Sequence, residues 1–196
     1  MGLLEARQPL AAAHLSEVYK TLDEWAAGSI PGCRGLLFLP YVHGAEVPAF
    51  RPNATGAFLG LRPEHDVRDL ARAVLEGVSL GLREIVDVLQ RRGVIITRLS
   101  LTGGGGRSRQ WPRILASVLD RPLELMTREV SALGAAMLGA VASGIHPSLQ
   151  TAVRHMAATP ERVVEPEPAW TEAYKAVHTE FRRALAANWR VRLDHV

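Results

Sequence analysis

Four consecutive glycines form the stretch of this 196-residue sequence that is best suited to binding chemistry. Residues 103–106 lie between an apolar segment that ends at Leu101 and a helical pattern that begins at Arg109. Because glycine has no Cβ, such a turn accepts positive φ angles and lets a ligand approach the backbone closely. Its amides, together with the first amides of the following helix, would suit an anion such as phosphate. A flexible surface loop is the alternative interpretation of the same residues.

Two common nucleotide-binding motifs do not describe this turn. A Walker loop ends in Gly-Lys-Ser/Thr, whereas Gly106-Arg107-Ser108 has arginine where the lysine is required. A dinucleotide fingerprint needs a third glycine, where this chain has Ser108, and an acidic residue at the end of the next strand, whereas Glu124 lies inside it. A glycine turn without the lysine is still compatible with binding adenosine and phosphate through backbone amides alone.

The other reactive side chains do not occur in a catalytic or metal-binding spacing. No serine lies in the sharp strand-to-helix elbow that a nucleophilic triad uses. The single cysteine, Cys33, excludes an intramolecular disulfide, and we expect an inert thiol in a protein of the reducing cytoplasm. The histidines follow no metal-ligand spacing: His14, His43, His65, His146, His155, His178 and His195. The sequence therefore predicts no catalytic residue and no metal ligand in this chain.

Composition argues against nucleic-acid and membrane partners. Net charge is only +3, and the arginines are interspersed with acidic residues. Aromatic residues make up 6% of the chain, and no recognition motif accompanies the basic groups, so we expect no nucleic-acid surface. No apolar run approaches the length of roughly 18 residues that a membrane-spanning helix needs. We therefore expect a cytoplasmic globular protein.

The elements that must position the glycine turn follow from hydrophobic periodicity. Apolar residues at three- and four-residue spacing predict helices, and short apolar runs predict strands. The predicted helices cover residues 10–27, 67–92, 109–119, 130–142 and 170–190, and the predicted strands cover 35–41, 56–61, 94–101 and 123–126. A proline-rich segment, 145–169, is predicted to be a surface connection. The alternation of strands and helices predicts an α/β layer architecture.

Three segments taken together resemble the C-terminal domain of the FGGY carbohydrate kinases, and most of all xylulose-kinase-like members. The segments are residues 35–61, residues 69–77, and the glycine turn with Trp111, Arg121-Pro122-Leu123 and Ala132-Leu133-Gly134-Ala135-Ala136. Between Gly56 and Glu76 the chain follows the family's second signature pattern, and order and spacing match over most of residues 35–144. The resemblance divides the chain into an N-terminal helix and turn (1–34) and a kinase C-terminal domain (35–196), which includes the connection 145–169 and a terminal helix (170–190).

The resemblance implies an actin-like ATPase domain with a ribonuclease-H-like core, in which helices flank a mixed sheet. Family members pair this domain with an N-terminal domain, and sugar and Mg-ATP meet in the cleft between the two. The glycine turn corresponds to the family's adenosine-binding motif. The residues implied to contact ATP are Gly103, Gly104, Gly105 and Gly106 through their backbone, and Arg107, Ser108 and Arg109 at the start of the next helix.

The helix over 130–142 is rich in small residues, and the resemblance implies that it walls the adenine pocket, with Glu129 and Ala132 at its start. Plain close packing is the alternative. The chain also departs from the family pattern: where xylulose-type members usually read Gly-Glu-Arg-x-Pro, it has Gly44-Ala45-Glu46-Val47-Pro48. This changes the charge expected to face the cleft and leaves the identity of the sugar open.

In the complete enzyme, Mg²⁺-bound ATP would donate its γ-phosphate to a hydroxyl of a pentulose. The family's catalytic aspartate and second phosphate loop belong to its N-terminal domain and match no residue of this chain, so we expect the chain alone to be inactive. The expected partners are adenine nucleotide, a sugar that binds only together with the N-terminal domain, and that domain or a second copy of the chain. The alternative is a non-catalytic interaction module that keeps the fold and holds a partner on its exposed cleft face.

Overall fold

The structure, a computed structural model, describes residues 12–126 and 130–189. Each helix that periodicity predicts is present there, although residues 10, 11 and 190 of the predicted helices lie outside the described ranges. The helices are α1 (Ala12–Ala27), α2 (Val67–Arg91), α3 (Trp111–Leu119), α4 (Val130–Ala142), α5 (Leu149–Met156) and α6 (Pro168–Asn188). The strands are β1 (Leu37–Leu39), β2 (Ala57–Leu59), β3 (Ser100–Leu101), β4 (Leu123–Leu125) and β5 (Arg162–Val164).

The strands form two small sheets. β1 and β2 pair antiparallel, with Phe38 opposite Phe58. In the second sheet β4 is central: β3 runs parallel to it and β5 antiparallel. The predicted mixed sheet flanked by helices is therefore confirmed, and β3 leads into the glycine turn from the edge of that sheet.

The third predicted strand, 94–101, is much shorter than its apolar pattern indicated. Only Ser100 and Leu101 pair with β4, because β4 is three residues long and directly follows Pro122, which has no amide to donate. Without a partner strand, residues 94–98 are largely exposed, with Ile95 at 87%, and only Leu99 of the preceding residues packs against a core cluster. Apolar character alone was therefore a poor guide to strand length here.

The predicted connection 145–169 contains more regular structure than expected. It includes α5 and β5, and β5 completes the mixed sheet. Ser148 caps α5 by accepting a hydrogen bond from the Thr151 amide over 3.2 Å. The prolines of this segment lie outside α5 and β5, so its proline content indicates neither element.

Helix α2 is the element against which α1, α3 and β1 pack. Its start is fixed by a capping box, in which the Asp66 side chain accepts from backbone amides of the first turn and the Asp69 side chain accepts from the Asp66 amide. Gly77 lets β1 approach closely, because a Cβ there would overlap the Phe38 carbonyl oxygen. Neither α2 nor any other helix in the described part of the chain is both long and apolar enough to cross a lipid bilayer.

Two hydrophobic clusters hold α3, the helix that follows the glycine turn. The larger joins it to α2 and α6 through Leu39, Tyr41, Ala45, Ala54, Leu80, Ile114, Val118, Tyr174, Phe181 and Leu185. The smaller joins it to the mixed sheet through Leu115, Ala116, Leu123 and Leu125. Burying each large aliphatic side chain stabilises the fold by roughly 1.5–3 kcal/mol, so α3 is held firmly on both sides.

A buried arginine connects α1, α2 and α6. The Arg72 side chain is 1% exposed, and its Nε donates to Glu76 Oε1 over 2.7 Å. One terminal nitrogen donates to the Ser29 carbonyl over 3.0 Å and the other to the Tyr174 hydroxyl over 2.9 Å. The guanidinium also lies 4.4 Å from the centre of the Trp170 ring. The charge is thus compensated by groups from α2 itself, from the turn after α1 and from α6.

The Glu76 carboxylate extends this network to the turn after α1. It accepts from the Tyr174 hydroxyl over 2.8 Å, from the Gly32 amide over 3.1 Å and from the Cys33 thiol over 3.4 Å. Burial and the adjacent carboxylate raise the pKa of the Cys33 thiol far above its ordinary value. Cys33 is therefore an inert thiol in this environment, in agreement with the expectation from the sequence.

Replacing Arg72 with Met should destabilise the fold by about 3–5 kcal/mol, because the Glu76 carboxylate is then buried without its counter-ion. The double variant R72M/E76L should recover part of that loss, since no unpaired charge is left. The measurement is the free energy of unfolding in urea. Arg68→Met, which removes an exposed arginine of the same helix, is the control and should cost less than about 1 kcal/mol. Strictly additive losses in the double variant would contradict this description.

Candidate functional site

The glycine turn links β3 directly to α3. Gly103 has φ 78° and ψ −159°, in the region that favours glycine, and it is the member of the turn that requires positive φ. Residues 104–107 form a single 3₁₀ turn. The Gly106 amide donates to the Gly103 carbonyl over 3.2 Å, and the Ser108 amide donates to the Gly105 carbonyl over 3.3 Å. The turn is therefore an ordered structure with internal hydrogen bonds.

The Trp111 indole ring packs against the glycine turn. A Cβ on Gly105 would overlap the six-membered ring of Trp111, so glycine is needed there for packing. The indole Nε1 donates to Ser79 Oγ on α2 over 3.1 Å, and that hydroxyl donates to the Leu75 carbonyl over 2.8 Å. Gly104, by contrast, has open space around its Cβ position to at least 4 Å.

A carboxylate from α1 occupies the amino end of α3. Asp23 accepts hydrogen bonds from the Arg109 amide over 2.8 Å, from the Gln110 amide over 3.1 Å and from the Ser108 hydroxyl. The Ser108 oxygen in turn accepts from the Trp111 amide over 2.8 Å. These contacts join α1 to the turn across 85 residues of sequence.

Asp23 affects the prediction that the amides at the start of the helix after the glycine turn bind a ligand anion. The two amides directly before α3, those of Arg109 and Gln110, do bind an anion, as the physics of a helix terminus favours, but the anion is a carboxylate of the chain itself. The Ser108 hydroxyl is also engaged, both as donor and as acceptor. Sequence reasoning could not find Asp23, because nothing in the polar pattern of α1 distinguishes it from its acidic neighbours.

The groups that are free for a ligand belong to the turn itself. Within the described ranges, the amides of Gly104 and Gly105 have no hydrogen-bond acceptor. The side chains of Arg107 and Arg109 are exposed and form no ion pair with any described residue. Two amides without an acceptor among the described residues, followed in the sequence by two exposed arginines, can bind an anionic ligand.

Other residues that the sequence singled out lie elsewhere. Glu129 falls outside the described residues, whereas Ala132 is exposed near the start of α4. Ala45 is buried and pairs with Arg51 through two backbone hydrogen bonds, so a side chain at position 45 points into the fold. Glu46 is exposed. Of the two residues that depart from the family pattern, Ala45 and Glu46, only Glu46 therefore presents its side chain to solvent.

The chain belongs to the FGGY family of carbohydrate kinases, because the model of the family's C-terminal domain matches residues 3–143. The xylulose kinase of Staphylococcus epidermidis is 28% identical over 167 residues, which are 85% of this chain and 34% of that protein. The erythritol kinase of Brucella abortus is 30% identical over 188 residues, which are 92% of this chain and 35% of that protein.

A solved structure extends the comparison to the fold. The xylulose kinase of Rhodospirillum rubrum superposes with a TM-score of 0.76 at 34% identity, over 91% of this chain and 36% of that chain. The chain thus spans about a third of the length of these relatives. The likeness confirms the fold that the sequence resemblance implied, the actin-like ATPase fold of the FGGY kinases.

A second group of ionisable side chains lies between α2 and α6. His178 Nε2 is 2.5 Å from Glu84 Oε1 and 3.9 Å from Asp87 Oδ2, so three potential metal ligands meet where histidine spacing predicted none. Arg182 Nε, however, is 3.5 Å from the same Glu84 oxygen and would repel a bound cation. His178 Nε2 and Glu84 Oε1 already form a hydrogen bond with each other. We therefore interpret the group as an ion-pair network that joins the two helices.

This network should make stability depend on pH. Burial alone would raise the pKa of the Glu84 carboxyl, but the hydrogen bond and charge of His178, with Arg182, hold it below its ordinary value of 4.5. A lowered pKa stabilises the fold above the ordinary value, and the effect is lost as pH falls through the lowered one. The free-energy difference between wild type and Glu84→Gln should therefore be large at neutral pH and shrink below about pH 4.

Urea unfolding at several pH values measures that difference. Glu180→Gln is the control, because Glu180 forms an exposed ion pair with Arg183 on the same helix. Such surface pairs contribute little, so this variant should follow the wild type at every pH. A constant difference between wild type and Glu84→Gln from neutral to acidic pH would contradict the assignment.

Proposed function

We propose that the chain is the nucleotide-binding part of a cytoplasmic FGGY sugar kinase, and that adenine nucleotide binds at the glycine turn. The observation that carries the proposal is the pair of free amides at Gly104 and Gly105 beside the exposed Arg107 and Arg109. Family membership supports it, because carbohydrate kinases take their phosphate from a nucleotide. The division into residues 1–34 and 35–196 is part of the same proposal.

Each element of the turn then has a physical role. Gly104 is exposed, so a ligand can contact its amide directly. Trp111 packs against Gly105, and the two arginines would offset the negative charge of the phosphates. ATP would supply the γ-phosphate, and Mg²⁺ would neutralise charge that builds up on it. Asp23 is a poor Mg²⁺ ligand, since three hydrogen bonds already use most of its acceptor positions.

The proposed sugar of the complete enzyme is a pentulose, with xylulose the first choice. Two of the relatives described above are named xylulose kinases, and a third is named an erythritol kinase. The exposed Glu46 is a natural candidate for a residue that alters sugar choice, because it brings a negative charge to the position where xylulose-type members usually have arginine.

Gly104→Asp should raise the dissociation constant for ATP at least about tenfold, which corresponds to roughly 1.4 kcal/mol. The introduced carboxylate would lie beside the bound phosphates, and the open space at Gly104 accommodates it without a clash. Isothermal titration calorimetry of the full chain provides the measurement. Gly105 is unsuitable for this test, because any side chain there collides with Trp111.

Gly104→Asn is the matched control, because it has almost the same shape as Gly104→Asp without the charge. It should bind ATP within about threefold of wild type. Adenosine, which lacks phosphates, should bind the two variants equally. Equal ATP affinity in wild type and both variants, or an absence of saturable ATP binding in the wild type, would contradict the proposal.

We also propose that these 196 residues by themselves do not transfer phosphate. No residue of the chain matches the family's catalytic aspartate, and phosphoryl transfer needs base, metal and phosphate positioned together. A coupled ADP-release assay with ATP, Mg²⁺ and xylulose should give the same rate with and without the sugar. Full-length xylulose kinase from S. epidermidis is the positive control. Sugar-dependent ADP release by the chain alone would overturn this part.

A further inference from the structure

We propose that Asp23 is the positioning residue for the glycine turn, and that its carboxylate confines a bound nucleotide to the turn by filling the amino end of α3. The inference rests on the proposed function, because it specifies how that site is held in place and where its phosphates lie. Asp23 lies in α1, in the part of the chain before the segments that carry the family signature. It would act through the turn and make no contact with the ligand.

The geometry gives Asp23 more than the role of a helix cap. Ser108 already caps α3, since its hydroxyl oxygen accepts from the Trp111 amide over 2.8 Å and from the Gln110 amide over 3.2 Å. Asp23 adds further contacts, because its carboxylate accepts hydrogen bonds from the Ser108 hydroxyl and from the Arg109 amide. The Ser108 hydroxyl can therefore point in only one direction. The carboxyl end of the turn is fixed to α1.

The position of α1 is fixed by the buried network described above. The Arg72 guanidinium donates to the Ser29 carbonyl at the end of that helix and also lies within 3.4 Å of the Ala26 carbonyl. Ala26 itself is fully buried, one helical turn from Asp23. Asp23 is consequently presented to α3 by a rigid support, as a positioning residue requires.

The charge of Asp23 has a consequence for the ligand. The amino end of a helix attracts anions through free amides and the helix dipole, and here a carboxylate already binds the Arg109 and Gln110 amides directly before α3. A phosphate group could not take that place without displacing Asp23. It would therefore bind at the turn itself, where the Gly104 and Gly105 amides and the Arg107 side chain are not engaged by any described residue.

Asp23→Ala tests the inference in the full chain. It should raise the dissociation constant for ATP about tenfold and speed hydrogen exchange of the Arg109 and Gln110 amides. Asp23→Asn keeps one acceptor oxygen and should restore part of the ATP affinity. Glu24→Ala removes the neighbouring carboxylate, which forms only an exposed ion pair with Lys20 over 3.9 Å, and should bind ATP within about twofold of wild type.

Sulfate provides a readout that a purely structural role would not affect. In Asp23→Ala the vacated helix end should bind sulfate, so sulfate should raise its unfolding temperature more than that of wild type or of Glu24→Ala. An equal sulfate effect in all three proteins, or equal ATP affinity in Asp23→Ala and Glu24→Ala, would overturn the inference. If wild type does not bind ATP, the proposed function fails, whereas exchange and sulfate still decide the role of Asp23.

Discussion

The fold depends on the burial of one positive charge. An unpaired guanidinium in the interior would cost several kcal/mol, so the chain must bring acceptors to every side of Arg72. Glu76, Tyr174 and the carbonyls at the end of α1 meet this requirement from three separate parts of the sequence. Their positions are thereby fixed relative to one another. The same network also holds the glycine turn in place, because Asp23 of α1 accepts a hydrogen bond from the Arg109 amide directly after the turn.

The four glycines contribute in different ways to one short turn. Gly103 supplies a backbone angle that other residues rarely adopt, and Gly105 supplies clearance over an indole ring. Gly104 has neither requirement and remains open to solvent. One end of the turn is consequently fastened to α1 and α3, while the other end is free to meet a ligand. A site of this kind combines a rigid support with accessible amides.

Local patterns were enough to predict five of the six described helices and the family, because periodicity and the signature segments are each encoded within a few dozen residues, whereas α5 and β5 in the proline-rich segment were missed. Contacts between distant segments were not predictable in this way. Asp23 and Ser108 are 85 residues apart, and Arg72 and Tyr174 are 102 residues apart. The strand over 94–101 was overestimated for a related reason, since its length is set by the neighbouring strand. The buried pair of Arg72 and Glu76 belongs to a signature segment, yet only the structure explains why those residue types occur there.

The indole beneath the glycine turn gives the protein an intrinsic optical reporter. Tryptophan emission responds to changes in polarity and packing around the ring, and Trp111 has its six-membered ring against Gly105 and its nitrogen hydrogen-bonded to Ser79. The chain contains only three other tryptophans, Trp25, Trp170 and Trp189. With those three replaced by phenylalanine, the fluorescence of a single residue would follow the state of the turn in real time, without any label.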